Sequence, residues 1–467
     1  MDVARLALQY ACRRGVTYAE ARLVQADRES IIVANGAAEK VKTDLDWGLA
    51  VRVLKRGAWG FAATSDLSRA GARKVADLAL GISHASARLR GEAVCLAPVS
   101  ALKADWRSQV KIDPFAVSLE DKLELLSRCT QVMAKVKNIK VANGSMDFWR
   151  TGQVLLTSEG REIVQTNTIT GAGIQAVAAD AGDVQQRSYP SSFRGNWHTA
   201  GYEFVQEMDL PGNAARVAEE AVRLLKAPAC PGGQTDIILD GDQLSLQIHE
   251  SIGHPLELDR ILGMELSYAG GSFVKLNDLG RLVYGSPLLN VVADATLERG
   301  VGSFGYDDEG VPGQRVRLIR EGVLEGFLTN RETAAALGLP SGGAARASSW
   351  RRLPLVRMTN INLLPGQGRL EELFAGVKKG VFMATNRSWS IDDRRLNFQF
   401  GCEIGYQIKN GRLGKIFKNP VYSGITPQFW ASMDAVAGQE EWGLWGTASC
   451  GKGQPAQAIA VGHGCSP

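Results

Sequence analysis

The sequence predicts an α+β fold, in which an α/β N-terminal domain is followed by a β-rich C-terminal domain. Three observations support this prediction. Helical apolar stripes alternate with glycine-turned strands up to residue 226. A Pro/Gly-rich stretch at 227–233 has the composition of a linker. Beyond it, residues 234–467 have mostly strand composition, with one marked helix directly after a short strand.

In the N-terminal domain, start and stop signals place the elements. Helices are predicted over 1–23, from 65 to about 89, from Ser118 onward and over about 213–226. Ser118 and Asp121 form a capping-box pattern ahead of an apolar stripe. Strands are predicted at 31–36 and 48–57, and residues 158–161 are predicted to form a hairpin turn.

In the C-terminal domain, extended patterns dominate. The apolar run 235–239 predicts a strand, and a short helix is predicted near 331–337. Two similar segments, 318–327 and 406–417, have glycine turns between strand-like arms and predict hairpins.

Composition narrows the class of protein. With 467 residues, 45% hydrophobic and 22% charged, the chain can bury substantial cores. A net charge of +4 without a Lys/Arg block argues against a nucleic-acid partner. No apolar run reaches about 18 residues, and the N-terminus lacks a signal-peptide pattern, so we expect no membrane span and a cytoplasmic location. Seven scattered cysteines argue against a disulfide framework.

The most informative segment is His249-Glu250-Ser251-Ile252-Gly253-His254-Pro255, which pairs two of only five histidines. Imidazole is a preferred zinc ligand, and a neighbouring glutamate can take the proton of an attacking water. The pattern therefore predicts a hydrolytic metal site with Glu250 as the catalytic base. Two ordinary histidines at a helix end are the alternative interpretation.

The spacing of the two histidines is one residue longer than in H-E-x-x-H. On a regular helix, positions i and i+5 diverge by about 140°, so both side chains cannot reach one metal ion. Gly253 is permissive, and Pro255 disfavours the α region for His254. We therefore predict that His254 lies on a π-like last turn or just beyond the helix end. Asp240 or Asp242 is the expected cap, and residues 244, 248 and 252 the inward stripe.

A catalytic zinc also needs a third protein ligand. Cys450 is the best candidate, because glycines around it permit tight turns and Lys452 would favour its thiolate. Glu257 and Asp259 are rival ligands or partners of the histidines. His463 could orient substrate or act as a ligand.

These motifs resemble the TldD/PmbA metalloprotease family, specifically its TldD-like metal-binding branch. The resemblance covers nearly the whole chain, and it includes H-E-x-x-x-H, the Cys450–Gln454 loop, 306–312, 357–360, 364–366 and 386–392. It implies metal ligation by His249, His254 and Cys450, with Glu250 as the catalytic glutamate. It also implies a curved β-rich C-terminal domain that encloses the metal together with the N-terminal domain. Family members usually continue beyond the segment matched by Val461–Gly464, whereas this chain ends at Pro467.

The remaining marked residues have two interpretations each. Asp307, Asp308 and Glu309 either form part of a turn before Gly310 without a further role, or they bind a substrate amine or support the metal ligands. His463 and Glu257 are the other candidates for substrate binding or support of the ligands.

We therefore predict a zinc-dependent peptidase with one Zn²⁺ per chain that hydrolyses short or unfolded peptides in an enclosed site. The resemblance implies a homodimer, or a heterodimer with a PmbA-like relative. One alternative is a non-catalytic PmbA-like partner or modulator subunit with a structural metal, which a closed four-ligand site would favour. An amidase acting on non-peptide amides would use the same residues.

Overall fold

The computed structural model describes residues 1–89, 91–266 and 270–467. The N-terminal elements are, in chain order, α1 (Asp2–Cys12), β1 (Tyr18–Ala34), β2 (Ala37–Lys55), β3 (Ala58–Thr64), α2 (Arg69–Ser86), β4 (Leu102–Arg107), α3 (Leu119–Ala134), β5 (Ile139–Thr157), β6 (Arg161–Ala179), β7 (Val184–Tyr189), β8 (Asn196–His198), α4 (Glu203–Glu207) and α5 (Leu210–Leu225).

The strands form one sheet in the order β3-β2-β1-β5-β6-β4, with β7 and β8 also paired to β6. All pairs are antiparallel except β4 with β6. In β1, Ala21 and Ile31 point to the same face because alternate residues share a side. Ala21 belongs to a buried cluster that includes side chains of α1 and α2, and Ile31 belongs to a second buried cluster that includes side chains of α3 and α5. The helices therefore cover one face, and the opposite face is left for the C-terminal region.

Most predicted N-terminal elements are present, but the first helix is shorter than predicted. Ser118 caps α3 by accepting the Asp121 N–H at 3.0 Å, as the capping-box pattern predicts. The helix predicted over 1–23 ends at Cys12, and β1 begins at Tyr18. Gly15 adopts a φ of 69°, a left-handed conformation that ends the helix.

The C-terminal elements are β9 (Asp236–Leu239), α6 (Gly241–Ile248), α7 (Leu258–Ile261), β10 (Val291–Asp294), β11 (Arg315–Arg320), β12 (Val323–Leu324), α8 (Arg331–Ala336), β13 (Ala345–Arg346), β14 (Leu355–Val356), β15 (Ile361–Leu363), α9 (Leu370–Gly376), β16 (Lys379–Ile391), β17 (Asn397–Lys409), β18 (Arg412–Lys418), β19 (Val421–Ile425), α10 (Thr426–Ala431), β20 (Gly443–Lys452) and β21 (Gln457–Cys465). Both predicted hairpins occur, as β11–β12 and β17–β18. The mixture of helices and open sheets confirms the predicted α+β class.

Small sheets build the C-terminal region around one core. The two larger sheets have the strand orders β18-β17-β16-β9 and β12-β11-β10-β15. Strand β20 pairs with β21 in a separate hairpin. Side chains from these sheets and from α6 share a single buried cluster. Among the described helices, none is long and apolar enough to cross a membrane.

Buried ion pairs join the free face of the N-terminal sheet to the C-terminal region. Arg52 contacts Glu20 at 2.8 Å and Glu309 at 2.9 Å. Arg22 pairs with Asp308 at 3.2 Å. Burying such groups is tolerated only when each charge has a partner, so these pairs fix how the two regions meet.

Candidate metal centre

The segment from β9 to His254 changes its helical geometry at the paired histidines. Asp240 caps α6 by accepting the Gly241 N–H at 2.9 Å. The helix then widens into a π turn at His249–Gly253 and tightens into a 3-10 turn at His254–Leu256. The His254 N–H donates to the His249 carbonyl, five residues back. This extra residue in the turn brings both imidazoles to one side, which is the π-like distortion that the spacing predicts.

The cause of the distortion differs from the one expected. His254 stays in the α region, with φ −63° and ψ −43°, despite the following proline. Gly253 is also helical, with φ −57°. Its role is steric, because a Cβ built there would lie 2.1 Å from Sδ of the buried Met358. Gly253 thus admits Met358 to the helix surface and does not supply a left-handed conformation.

Long-range hydrogen bonds hold the irregular turn. The Tyr284 hydroxyl donates to the Ser251 carbonyl at 2.5 Å, and Trp430 Nε1 donates to the Ser251 hydroxyl at 2.9 Å. Polar backbone groups released from regular helical bonding need such partners when they are buried.

Three metal-binding side chains converge at this turn. Ligand atoms of His249, His254 and Cys450 all lie within 4.8 Å of one another. The Cys450 Sγ is 3.5 Å from His254 Nε2. All three residues are buried, with at most 4% of each exposed. Their roles as ligands stay a prediction, but the structure brings the three predicted donors together.

The far side of each imidazole has its own partner. His249 Nδ1 lies 2.9 Å from Nε2 of His463, and His463 Nδ1 lies 3.3 Å from the Ile361 carbonyl. His254 Nδ1 lies 3.0 Å from Glu257 Oε2. If each Nδ1 donates, both His249 and His254 present an unprotonated Nε2. Carboxylate and carbonyl partners orient metal-binding histidines in this way.

Burial keeps these histidines neutral. Loss of hydration lowers the pKa of His249 to about 4 and that of His254 to about 4. The same cause, with His249 alongside, lowers the pKa of His463 well below its ordinary value. Imidazoles that are neutral near pH 7 can donate a lone pair to a cation without first losing a proton.

Cys450, on β20, is surrounded by groups that favour its thiolate. Burial raises the pKa of the thiol, but His254 and Arg357 outweigh burial, so the pKa is lower than for an ordinary cysteine. Arg357 also donates to the Cys450 carbonyl. The ammonium of Lys452 contacts Asp259 at 2.7 Å and Glu257 at 3.4 Å. Its predicted effect on the Cys450 thiolate stays a prediction.

Four charged groups lie behind His254. Glu257 Oε2 accepts from Arg260 Nε at 2.6 Å, and Lys452 Nζ also donates to the Val356 carbonyl at 2.6 Å. Burial acts to raise the pKa of Glu257, but Lys452 and Arg260 outweigh it and hold the pKa well below the ordinary value. Glu257 is therefore an anionic partner of His254 Nδ1, on the side of the ring away from Cys450. Asp259 belongs to the same ionic group.

Glu250 lies in the π turn beside the donors and is 6% exposed. Its Oε2 contacts Arg395 Nη1 in an ion pair. Sequence reasoning did not identify Arg395, which stands three residues beyond the matched 386–392 segment. The Asp392–Asn397 turn, in which Arg395 has a φ of 63°, places it there. No local pattern marks such a contact in the sequence.

Asp307, Asp308 and Glu309 lie at the junction of the two regions. Asp307 accepts three backbone N–H groups, from Glu309, Val311 and Ala345. Glu309 accepts the Arg331 N–H at 2.8 Å besides pairing with Arg52. These contacts are typical of a buried turn. The roles of the three residues in binding a substrate stay a prediction.

A cavity of about 510 Å³ lies between the free face of the N-terminal sheet and the C-terminal region. Its walls include Trp149, Asp308, Arg346, Trp350 and Ile459. The three converging donors are not among its described lining residues, but Ile459 pairs with Cys450 across the β20–β21 hairpin. One wall of the cavity is thus a strand adjacent to the donor.

Comparisons with known proteins cover nearly the whole chain. Three consecutive family profiles match it: the PmbA/TldA metallopeptidase domain 1 at residues 19–83, the central domain at 112–227 and the C-terminal domain at 232–460. The donors that converge at the π turn all fall within the last of these ranges.

Similar proteins were found by sequence and by structure. A protein from Methanocaldococcus jannaschii named as a metalloprotease is 30% identical over 451 residues, which are 96% of this chain and 95% of that protein. A protein named as a zinc metalloprotease TldD homolog, from Saccharolobus solfataricus, is 26% identical and matches 88% of this chain and 87% of its own length. The fold is similar to that of TldE from Thermococcus kodakarensis, with a TM-score of 0.73, 14% identity and coverage of 100% of this chain and 98% of that one.

Proposed function

The chain belongs to the PmbA/TldD metallopeptidase family, and on that premise we propose that it is a zinc-dependent peptidase acting on short or unfolded peptides. The observation that carries the proposal is the convergence of His249, His254 and Cys450 beside Glu250. Metallopeptidase family membership gives the class of reaction, and the geometry supplies the residues for it.

The donor set fits zinc. Two imidazole nitrogens and one thiolate are ligands that zinc accepts in tetrahedral sites, and three protein donors leave a position for water or substrate. When bound, zinc would lower the pKa of a water molecule and polarise the scissile carbonyl.

Glu250 is the proposed proton carrier. Its carboxylate would take the proton of the attacking water and return it to the leaving amine. The ion pair with Arg395 fixes one carboxylate oxygen, so Arg395 would hold Glu250 in place during this transfer.

The burial of the centre supports a restricted class of substrate. A folded surface loop cannot reach donors that are at most 4% exposed. The neighbouring cavity of about 510 Å³ has the size of a small-ligand site.

A non-catalytic subunit with a structural metal is less well supported. That alternative needs a fourth protein ligand, and His463 and Glu257 are the candidates. Both instead contact the Nδ1 atoms on the far sides of the histidines. An assembly with a second copy or with a PmbA-like relative remains part of our proposal, and mass measurement of the purified protein tests it.

The test of the proposed function is peptide cleavage by zinc-loaded protein, compared with Glu250→Gln. We expect unstructured peptides to be cleaved and a folded domain of similar amino-acid composition to stay intact. Loss of the base should lower kcat by roughly 10²–10⁴ while zinc content stays unchanged. Glu403→Gln is the matched control, because Glu403 is a fully buried, Arg-paired glutamate that contacts β7. Wild-type turnover by Glu250→Gln would refute the assignment of the base.

A further inference from the structure

We propose that Lys452 is a positioning residue that, acting through Glu257, sets the angle at which the His254 imidazole meets Cys450. This inference rests on the proposed zinc site and assigns a task to a residue outside the donor set. It follows from contacts that connect one strand to both ends of one ring.

Cys450 and Lys452 stand two residues apart on β20, so their side chains extend to the same side. The Cys450 Sγ lies 3.5 Å from Nε2 of His254. The Lys452 Nζ lies 3.4 Å from Oε2 of Glu257, the same oxygen that lies 3.0 Å from Nδ1 of His254. One strand therefore contacts the imidazole directly at one end and through a carboxylate at the other.

The connection has little freedom to move. Lys452 and Glu257 are both fully buried, and the ammonium has three oxygen partners, on Glu257, Asp259 and the Val356 backbone. Arg260 holds the same Glu257 oxygen at 2.6 Å from the other side. Two cations and His254 therefore contact the same Glu257 oxygen, which favours one orientation of the His254 ring.

A second buried lysine makes it possible to separate positioning from general stability. Lys122, in α3, is also fully buried and pairs with Glu29 at 2.6 Å. It packs over the Phe148 ring in the N-terminal core and contacts none of the donors. Removing either ammonium leaves a carboxylate without that partner, but only one of these carboxylates contacts a donor histidine.

The experiment compares Lys452→Met with Lys122→Met by chelator competition for Zn²⁺ and by the absorption spectrum of the Co²⁺-substituted protein. We expect folded Lys452→Met to bind zinc about 10–100-fold more weakly, with an altered thiolate-to-cobalt charge-transfer band. Lys122→Met should be less stable but keep the wild-type zinc affinity and spectrum. If Lys452→Met does not fold, the charge-balanced double variant with Asp259→Asn replaces it, and the same two measurements decide.

Wild-type zinc affinity and spectrum in a folded Lys452 variant would overturn the inference. An equal loss of affinity in Lys122→Met would overturn it too, since the effect would then be one of stability. Failure of the proposed zinc site is distinguishable, because in that case the wild-type protein itself would bind no zinc. Failure of the proposed peptidase activity alone would leave both binding measurements as expected.

Discussion

The N-terminal core beneath α3 and the candidate metal centre each bury a cysteine, with opposite results. Cys129 and Cys450 are both buried, yet burial raises the pKa of Cys129 to about 11, whereas His254 and Arg357 outweigh burial and lower the pKa of Cys450. Cys129 packs among apolar side chains on long, regular elements. Cys450 meets an irregular turn that long-range contacts hold in place. Regular packing makes a thiol inert, and the distorted segment prepares one for a cation.

The strongest way to break this comparison is to change each thiol to a hydroxyl. Cys450→Ser should lose zinc affinity by more than the roughly 10–100-fold that a partner of a ligand typically contributes, because a donor itself is removed. Cys129→Ser should keep full zinc affinity and lower the free energy of unfolding by about 1–3 kcal/mol, since a hydroxyl is buried among apolar groups. Zinc titration and urea unfolding of both variants measure the two effects. Full zinc occupancy in Cys450→Ser would show that Cys450 is not a ligand.

A smaller effect is expected from a single methyl group at the π turn. Gly253→Ala places a Cβ against Met358, which must shift within a packed core. We expect the free energy of unfolding to fall by about 1–3 kcal/mol and zinc to bind more weakly, because the shift displaces the turn between the donors. Gly451→Ala is the control, since its Cβ meets nothing within 4 Å although it adjoins Cys450. Unchanged zinc binding and stability in Gly253→Ala would mean that Met358 moves without cost.

A further expected effect is a pH dependence of the free energy of unfolding that zinc should reduce. The pKa of His198, near the N-terminal core, and the pKa values of His249 and His254 are each lowered by burial from 6.5 to about 4. Between these values each of these histidines binds more protons in the unfolded chain, so its contribution to the free energy of unfolding falls as pH drops from 6.5 toward 4. Zinc bound at His249 and His254 should compete with protons there and leave the contributions of His198 and of His463, whose pKa is also lowered by burial. Denaturant unfolding at several pH values, with and without zinc, tests this prediction. The same change of the free energy of unfolding with pH in both conditions would contradict it.

Local patterns in the sequence predicted the elements whose geometry is locally determined. The capping box of α3 and the glycine-turned hairpins are formed as their residue types require. The spacing of His249 and His254 was enough to predict a π-like turn, because no regular helix can bring both rings to one point.

Features set by distant contacts were missed or misjudged. The pairing of Arg395 with Glu250 joins residues 145 positions apart. Met358 leaves no room for a Cβ at Gly253, and the ammonium of Lys452 contacts Asp259 and Glu257. Each of these contacts depends on which distant chain segments meet in the fold. Periodicity and spacing along one strand or helix carry no information about those meetings.

The most direct measurement of the central claim is X-ray absorption at the zinc edge of the loaded wild-type protein. We expect one zinc per chain with one sulfur neighbour at about 2.3 Å and two imidazole nitrogens at about 2.0–2.1 Å, the rest of the shell being a lighter solvent or substrate atom. Loss of the sulfur contribution in Cys450→Ser would identify Cys450 as the sulfur ligand. A sulfur-free shell in the wild-type protein, or a shell closed by a third imidazole or a carboxylate of the chain, would contradict an open site built from His249, His254 and Cys450.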